Sequence, residues 1–189
     1  MRVPLLSVAI LLIVGVVSTA AAQQQPDEVF KDFSKRVSDY SALRSKMEKG
    51  LPVAAANGDP ADVRSAELAL ARRIRTARAT AHQGELFTPQ VASAFRKILR
   101  SIDADTWKEI MDENPGPFPT RINDAYPKTQ PLSTVPPNLL ARLPKLPDGI
   151  EYRFVGSNLI LHDTRSNLIV DRIPEAISMA KVPQHPLAK

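Results

Sequence analysis

Arg64, Arg75, Arg78 and His82 share one flank if residues 60–83 form a helix, because each residue advances about 100° around the axis. Such a row can hold a phosphate, a lipid headgroup or an acidic partner. The plainer reading is a solvated face whose positive charge suits a helix C-terminus. Arg72 and Arg73 point elsewhere. Further along, Asp103, Asp105, Glu109, Asp112 and Glu113 form an acidic cluster. Carboxylates spaced in this way can hold a hard cation, or serve a carboxylate-dependent hydrolase if Asp103 and Glu109 converge in a pocket. No glycine-centred calcium loop accompanies them, and Trp107 and Lys108 interrupt the run, so pairing with basic residues or water is the plainer reading. The three histidines, His82, His162 and His185, fall on separate elements, whereas metal sites gather three or four ligands. There is no G-x-S-x-G, phosphate-binding loop, H-E-x-x-H or dinucleotide fingerprint. The sequence therefore assigns no catalytic residue, no metal ligand and no cofactor.

The 189-residue chain opens with Arg2, an apolar run over residues 5–17, and Ala20-Ala21-Ala22. That is the layout of a secretory signal peptide cleaved before Gln23, and the run is too short to span a bilayer. No cysteine follows it, which excludes an acylated lipoprotein. The chain is expected in the periplasm or secreted, with no transmembrane helix after cleavage. Losing Arg2 lowers the formal charge from +5 to +4. This mild surplus allows an envelope protein or an anionic surface as partner, and falls short of a nucleic-acid footprint. With no cysteine anywhere, stability must come from packing.

Four helices are expected in a helical region over residues 23–114. The first, 25–49, starts at Pro26 and puts Val29, Phe33, Val37, Tyr40 and Met47 on one face, with Leu43 at its edge and Gly50 as its stop. The second, 60–83, is capped by Asp59 and ended by Gly84. It carries Val63, Ala66, Leu70, Ile74, Ala77 and Ala81 as its apolar stripe, and pairs with the first as an antiparallel hairpin. A third, from Thr88 to about Ser101, buries Val91, Phe95, Ile98 and Ile102. A fourth, 105–114, turns Trp107, Ile110 and Met111 inward. Residues 115–149 hold nine of the seventeen prolines, so that segment is extended, laid along the helical body by Phe118, Ile122, Tyr126 and Leu132, with one helical turn at 138–143. Residues 174–189 form a tail.

Between the proline-rich segment and the tail, Ile150–Val155, Asn158–Asp163 and Leu168–Ile173 are three short runs rich in branched and aromatic residues. Gly156-Ser157 suits a type II′ turn, setting Phe154 against Leu159 and Tyr152 against Leu161. Thr164-Arg165-Ser166-Asn167 suits a four-residue loop with Asn167 left-handed, setting Leu161 against Val170 and His162 against Ile169. One face then collects Ile150, Tyr152, Phe154, Leu159, Leu161, Leu168 and Val170. The other carries Glu151, Arg153, Val155, Ile160, His162, Ile169 and Asp171. Three branched apolar residues among charges on that second face imply either cover by the proline-rich segment or a partner surface built from Val155, Ile160, His162 and Ile169.

The run ELALARRIRTARATAHQGELFTPQVASAFRKIL and the ending PPNLLARLPKLPDGIEYRFVGSNLILHDTRSNLIVDRIP resemble a group of uncharacterised exported bacterial proteins, for which no activity is established. The ending, proline-rich with Tyr-x-x-x-Gly and a strand pair, is also faintly similar to the C-terminal module of the periplasmic nickel and cobalt efflux regulator family. Members of that family are typically His-rich, and this chain is not. The expected fold is α+β: a helical hairpin and two further helices, a proline-rich crossover and a three-stranded antiparallel β-meander. The expected function is that of a non-catalytic envelope protein that binds or scaffolds a macromolecular partner. The alternatives are a small-ligand or metal-ion binding periplasmic protein and the carboxylate-dependent hydrolase.

Overall fold

A computed structural model describes residues 26–51 and 59–177. The expected signal peptide and residues 178–189 of the tail lie outside them. The fold is α+β, with five helices among the described residues followed by a three-stranded antiparallel sheet.

Helix α1 (Pro26–Glu48) buries Val29, Phe33, Val37 and Tyr40 along one face. Phe33 is its centre: it stacks on Phe87 with ring centroids 5.2 Å apart and meets Phe95 edge-on at 5.2 Å. The same row continues into Arg44, a buried cation where the apolar periodicity leaves a gap.

Helix α2 (Pro60–Ala77) begins as expected, with the Asp59 carboxylate accepting the Ala61 N–H at 2.8 Å. It stops well before Gln83. Arg78 is already non-helical (φ −117°), and its carbonyl accepts the Ala81 N–H at 3.0 Å in a tight turn together with the Asn123 side-chain amide at 2.9 Å. Gly84 therefore shapes the following loop rather than capping the helix, and Ala77 is exposed. Arg73 donates to the carbonyls of Met47 and Lys49, both at 2.9 Å, so the end of α1 lies opposite the latter part of α2. The first turns of α2 run past that end, about 20 Å of helix at 1.5 Å per residue from Pro60 to Arg73. This overhang leaves Val63 43% exposed despite its place on the apolar stripe.

Helix α3 (Pro89–Arg100), capped by Thr88, buries Val91, Ala92, Phe95 and Leu99, with Ile98 only half-buried. Helix α4 (Ala104–Asp112) seats Ile110 in the core, with Trp107 and Met111 packed against it. Helix α5 (Pro137–Leu140) is the turn expected after the paired prolines.

Strands β1 (Ile150–Val155), β2 (Asn158–Asp163) and β3 (Leu168–Ile173) lie in sequence order. The first hairpin has the expected register, Phe154 opposite Leu159 and Tyr152 opposite Leu161. Gly156 has φ +56° while Ser157 does not turn positive, as a II′ turn requires, and Asn167 is left-handed at φ 55°. The second pairing is corrected by one residue. His162 faces Ile169, but Leu161 faces Asp171 instead of Val170. A bulge at Val170 turns Asp171 from the outer face to the helical side, where its carboxylate meets the loop after α2.

The proline-rich segment is packed on both sides: Val135, Leu139 and Leu143 join the helix-side core, as expected, and its earlier part takes up the first of the two readings offered for the second sheet face. It covers the outer face of the sheet, where Tyr126 and Phe118 enclose Val155, Ile160 and Ile169. Its backbone also pairs with the β3 edge, Asn123 N–H to Ile169 O and Ile169 N–H to Asp124 O, each 2.9 Å. At the β1 edge the Ser133 hydroxyl donates to Phe154 O at 2.8 Å and accepts the Phe154 N–H at 3.0 Å. Val155, Ile160 and Ile169 are thus core, because helices α1–α4 fill only one side of the meander and the prolines' segment fills the other. Ile169→Asp places a carboxylate in this sealed layer, and it is expected to lower stability by more than ~4 kcal/mol in urea titration. Ile160→Val should cost only about 1 kcal/mol.

Candidate functional site

The basic row on α2 does not form one ledge. Its 100° spacing holds only up to Ala77, so Arg78 and His82 leave the flank. Arg75 donates to the Asn123 carbonyl at 2.8 Å. Arg78 is buried: it donates to Val170 O at 3.2 Å and to Glu85 at 2.7 Å, and lies over the Tyr40 ring at 5.1 Å. Its work is to join α2 to the sheet. His82 is exposed in the loop, and Arg64 is exposed on the overhang.

Asp103, Asp112 and Glu113 of the acidic cluster are spent on structure, and Asp105 and Glu109 are exposed on α4, not gathered in a pocket. Asp103 caps α4, accepting the Thr106 N–H at 2.8 Å and the Thr106 hydroxyl at 3.0 Å, and these bonds hold its carboxyl below the usual carboxylate range. That is the wrong direction for a general acid. Glu113 accepts the hydroxyl and N–H of Thr134, which likewise lower its pKa, and Lys108 pairs with Asp112 at 2.9 Å.

Three polar centres lie inside the fold, and the sequence reading assigned none of them a role there. Asp163 accepts the Tyr40 hydroxyl at 2.6 Å, the Arg44 guanidinium at 3.3 Å and the Arg165 N–H at 3.0 Å. Burial first, then the Asp163 charge, pushes the Tyr40 hydroxyl far up, so it stays a donor. Asp171 accepts four backbone N–H groups, those of Gly84, Leu86, Phe87 and Arg172, at 2.7–2.9 Å. The third centre is His162, 4% exposed, with Arg153 on one ring nitrogen at 3.3 Å and Asn167 on the other at 3.0 Å. Arg44 was the one legible clue, a cation on an apolar row.

Among the described residues no group of His, Asp and Glu is arranged to hold a metal ion, and no helix is long and apolar enough to cross a membrane. A cleft of about 290 Å³ lies between α1 and α3, lined by Val29, Asp32, Arg36, Thr88, Gln90 and Val91. Its ionic groups satisfy each other, since Arg36 pairs with Asp32 at 2.8 Å and donates to Glu85 O at 3.1 Å. The overhang of α2 differs. Arg64, Leu68 and Arg72 recur every four residues as one row, all exposed, with Leu68 46% open to solvent. Asp62 lies on another face, and Glu67 is taken by Lys128 at 2.9 Å.

Asp171→Asn sets an NH2 group against backbone N–H donors that cannot turn away. It is expected to cost about 3 kcal/mol in equilibrium unfolding and to loosen the loop over residues 84–87. No family model, no curated protein and no solved structure matches this chain.

Proposed function

We propose that the chain is an exported, non-catalytic envelope protein that binds an acidic protein partner through the overhanging turns of α2. One observation carries this reading: Leu68, 46% exposed, sits between the exposed guanidiniums of Arg64 and Arg72 with no carboxylate in the row. An exposed leucine in a cationic rim has the chemistry of an interface anchor, with arginine supplying bidentate bonds to carboxylates. A lipid surface fits less well, because a helix that lies in a membrane needs a broad apolar face, and this row offers one leucine. Export is supported by the pattern of Arg2, the apolar run and the Ala20-Ala21-Ala22 site. The periplasm or the exterior is then where the partner is met.

The reading is tested by crosslinking in the native envelope and affinity capture, with Leu68→Asp and the pair Arg64→Glu, Arg72→Glu as controls. These positions are exposed, so thermal unfolding should stay within about 0.5 kcal/mol of the parent. One recurrent partner recovered at least about tenfold less by both variants, equivalent to about 1.4 kcal/mol of binding, is the expected result. Equal recovery by parent and variants overturns it, and recovery with anionic lipid alone assigns the row to a membrane surface.

A further inference from the structure

His162 sits where the sheet meets the segment that covers it. Its Nδ1 faces Arg153 Nε at 3.3 Å, and a guanidinium only donates, so Nδ1 is the acceptor. Nε2 therefore carries the ring proton and donates to Asn167 Oδ1 at 3.0 Å, while Asn167 Nδ2 donates to Tyr126 O at 2.9 Å. Arg153 is 7% exposed, and its Nη1 reaches Ser133 O at 2.7 Å. The neutral ring thus links both ends of residues 126–135 to the sheet. The Tyr126 ring lies 5.1 Å from the imidazole and its hydroxyl donates to Pro131 O at 2.6 Å, folding the segment onto itself.

We propose that His162 is the bolt of an acid-sensitive latch: protonating its ring breaks the Arg153 contact that helps hold Ser133 and loosens residues 127–135 over the outer face of the sheet.

A proton on Nδ1 would oppose the Arg153 Nε–H, donor against donor and cation against cation, in a site closed to water. Arg153, whose Nη2 already pairs with Glu151 on its own strand, must then draw its Nε away from the ring, which strains its bond to Ser133. The charged groups around the ring oppose one another. Burial is the largest influence and lowers the His162 pKa from its ordinary value near 6.5; Asn167 raises it, Arg153 lowers it, and Glu151 and Asp163 raise it. From the covering segment the ring meets Tyr126, and from β3 the apolar Ile169. The closed form therefore binds the proton less well than the open form, in which the ring regains its ordinary value. Closure is fully favoured above pH ~6.5 and weakens as pH falls from there toward the lowered folded value. The release is partial by construction. Residues 123–126 keep their backbone bonds to β3, Asn123 stays held by Arg75 and Arg78, and the Ser133 hydroxyl keeps its two bonds to Phe154.

Hydrogen exchange of the purified protein between pH 7.5 and 5, read as protection factors so that intrinsic exchange rates divide out, tests the latch. The expected result is protection over residues 127–135 falling by up to about tenfold per pH unit below 6.5, the limit for one proton, while α1 and α3 stay protected. In His162→Gln, whose amide can accept from Arg153 and donate to Asn167 without titrating, the same segment should show no pH dependence. A flat profile in the parent, an equal slope in His162→Gln, or a loss spread over α1 and α3 overturns the proposal. Should the variant fail to fold, the parent's own imidazole resonance decides: its titration must coincide with the loss of protection, and a mismatch overturns the latch.

Discussion

A three-stranded meander with apolar residues on both faces cannot stand in water, and the order of the whole chain follows from that constraint. The inner face, with Tyr152, Phe154, Leu159 and Leu161, is closed by α1 and α3 through the ring cluster of Phe33, Phe87 and Phe95. The outer face, with Val155, Ile160 and Ile169, is closed by the proline-rich segment. Prolines suit that task because a covering layer with few free N–H groups leaves few to satisfy, and its fixed φ angles reduce the entropy lost on ordering. Gly156 marks how tightly the layer fits, since a Cβ there would lie 3.1 Å from Pro117 Cα.

Charge does in this cysteine-free fold what disulfides do in others. Arg36, Arg44, Arg73, Arg75, Arg78, Arg96 and Arg153 each donate to a backbone carbonyl far away in sequence, at 2.7–3.2 Å. A guanidinium presents five donors in a rigid fork, so one side chain can hold a loop and still reach a carboxylate, as Arg78 does with Val170 and Glu85. Asp163 and Asp171 are the acceptor counterparts, the first at the loop end of the β2–β3 hairpin and the second within β3 beside the bulge. Removing one partner of such a buried set costs about 3–5 kcal/mol, more than the pair contributes over an apolar replacement, so these groups define one arrangement rather than add bulk stability.

The helices, the three strands and the Gly156 turn were legible because each is written in local periodicity or turn chemistry. What was not legible depends on contacts between distant segments. Helix α2 was extended to Gln83 because Ala77 and Ala81 continue its stripe, yet the chain turns at Arg78, where Asn123 from the proline-rich segment shares the carbonyl with the Ala81 N–H. Asp171 was placed outward because strict alternation has no way to show the bulge at Val170. Whether Val155, Ile160 and Ile169 lie under the proline-rich segment or form a partner surface stayed open for the same reason: periodicity shows that a face is apolar and does not show what covers it. Of the basic flank, only Arg64 stayed on the surface of the helix with its guanidinium unspent on a carbonyl, and it was Leu68 and Arg72, passed over in the sequence, that the overhang placed beside it.

The covering segment is held in two different ways, and the difference follows from strand geometry. At β3 the outer edge presents free backbone groups, so residues 123–126 bind there by main-chain bonds that no titration disturbs. Past Tyr126 the chain crosses the sheet toward β1, perpendicular to the strands, where ladder pairing is impossible, and side chains must supply the bonds. Polar side chains crossing an apolar face need a partner on the sheet itself, and His162 with Arg153 is the polar pair that the outer face offers. A lysine or glutamate in place of the imidazole would bring a permanent charge beside Arg153 or demand burial of a full ion pair. A neutral imidazole, donor at one nitrogen and acceptor at the other, bridges Arg153 and Asn167 without net charge. Its capacity to take up a proton comes with that choice, so the half of the cover that needs a side-chain bridge is also the half that acid can loosen.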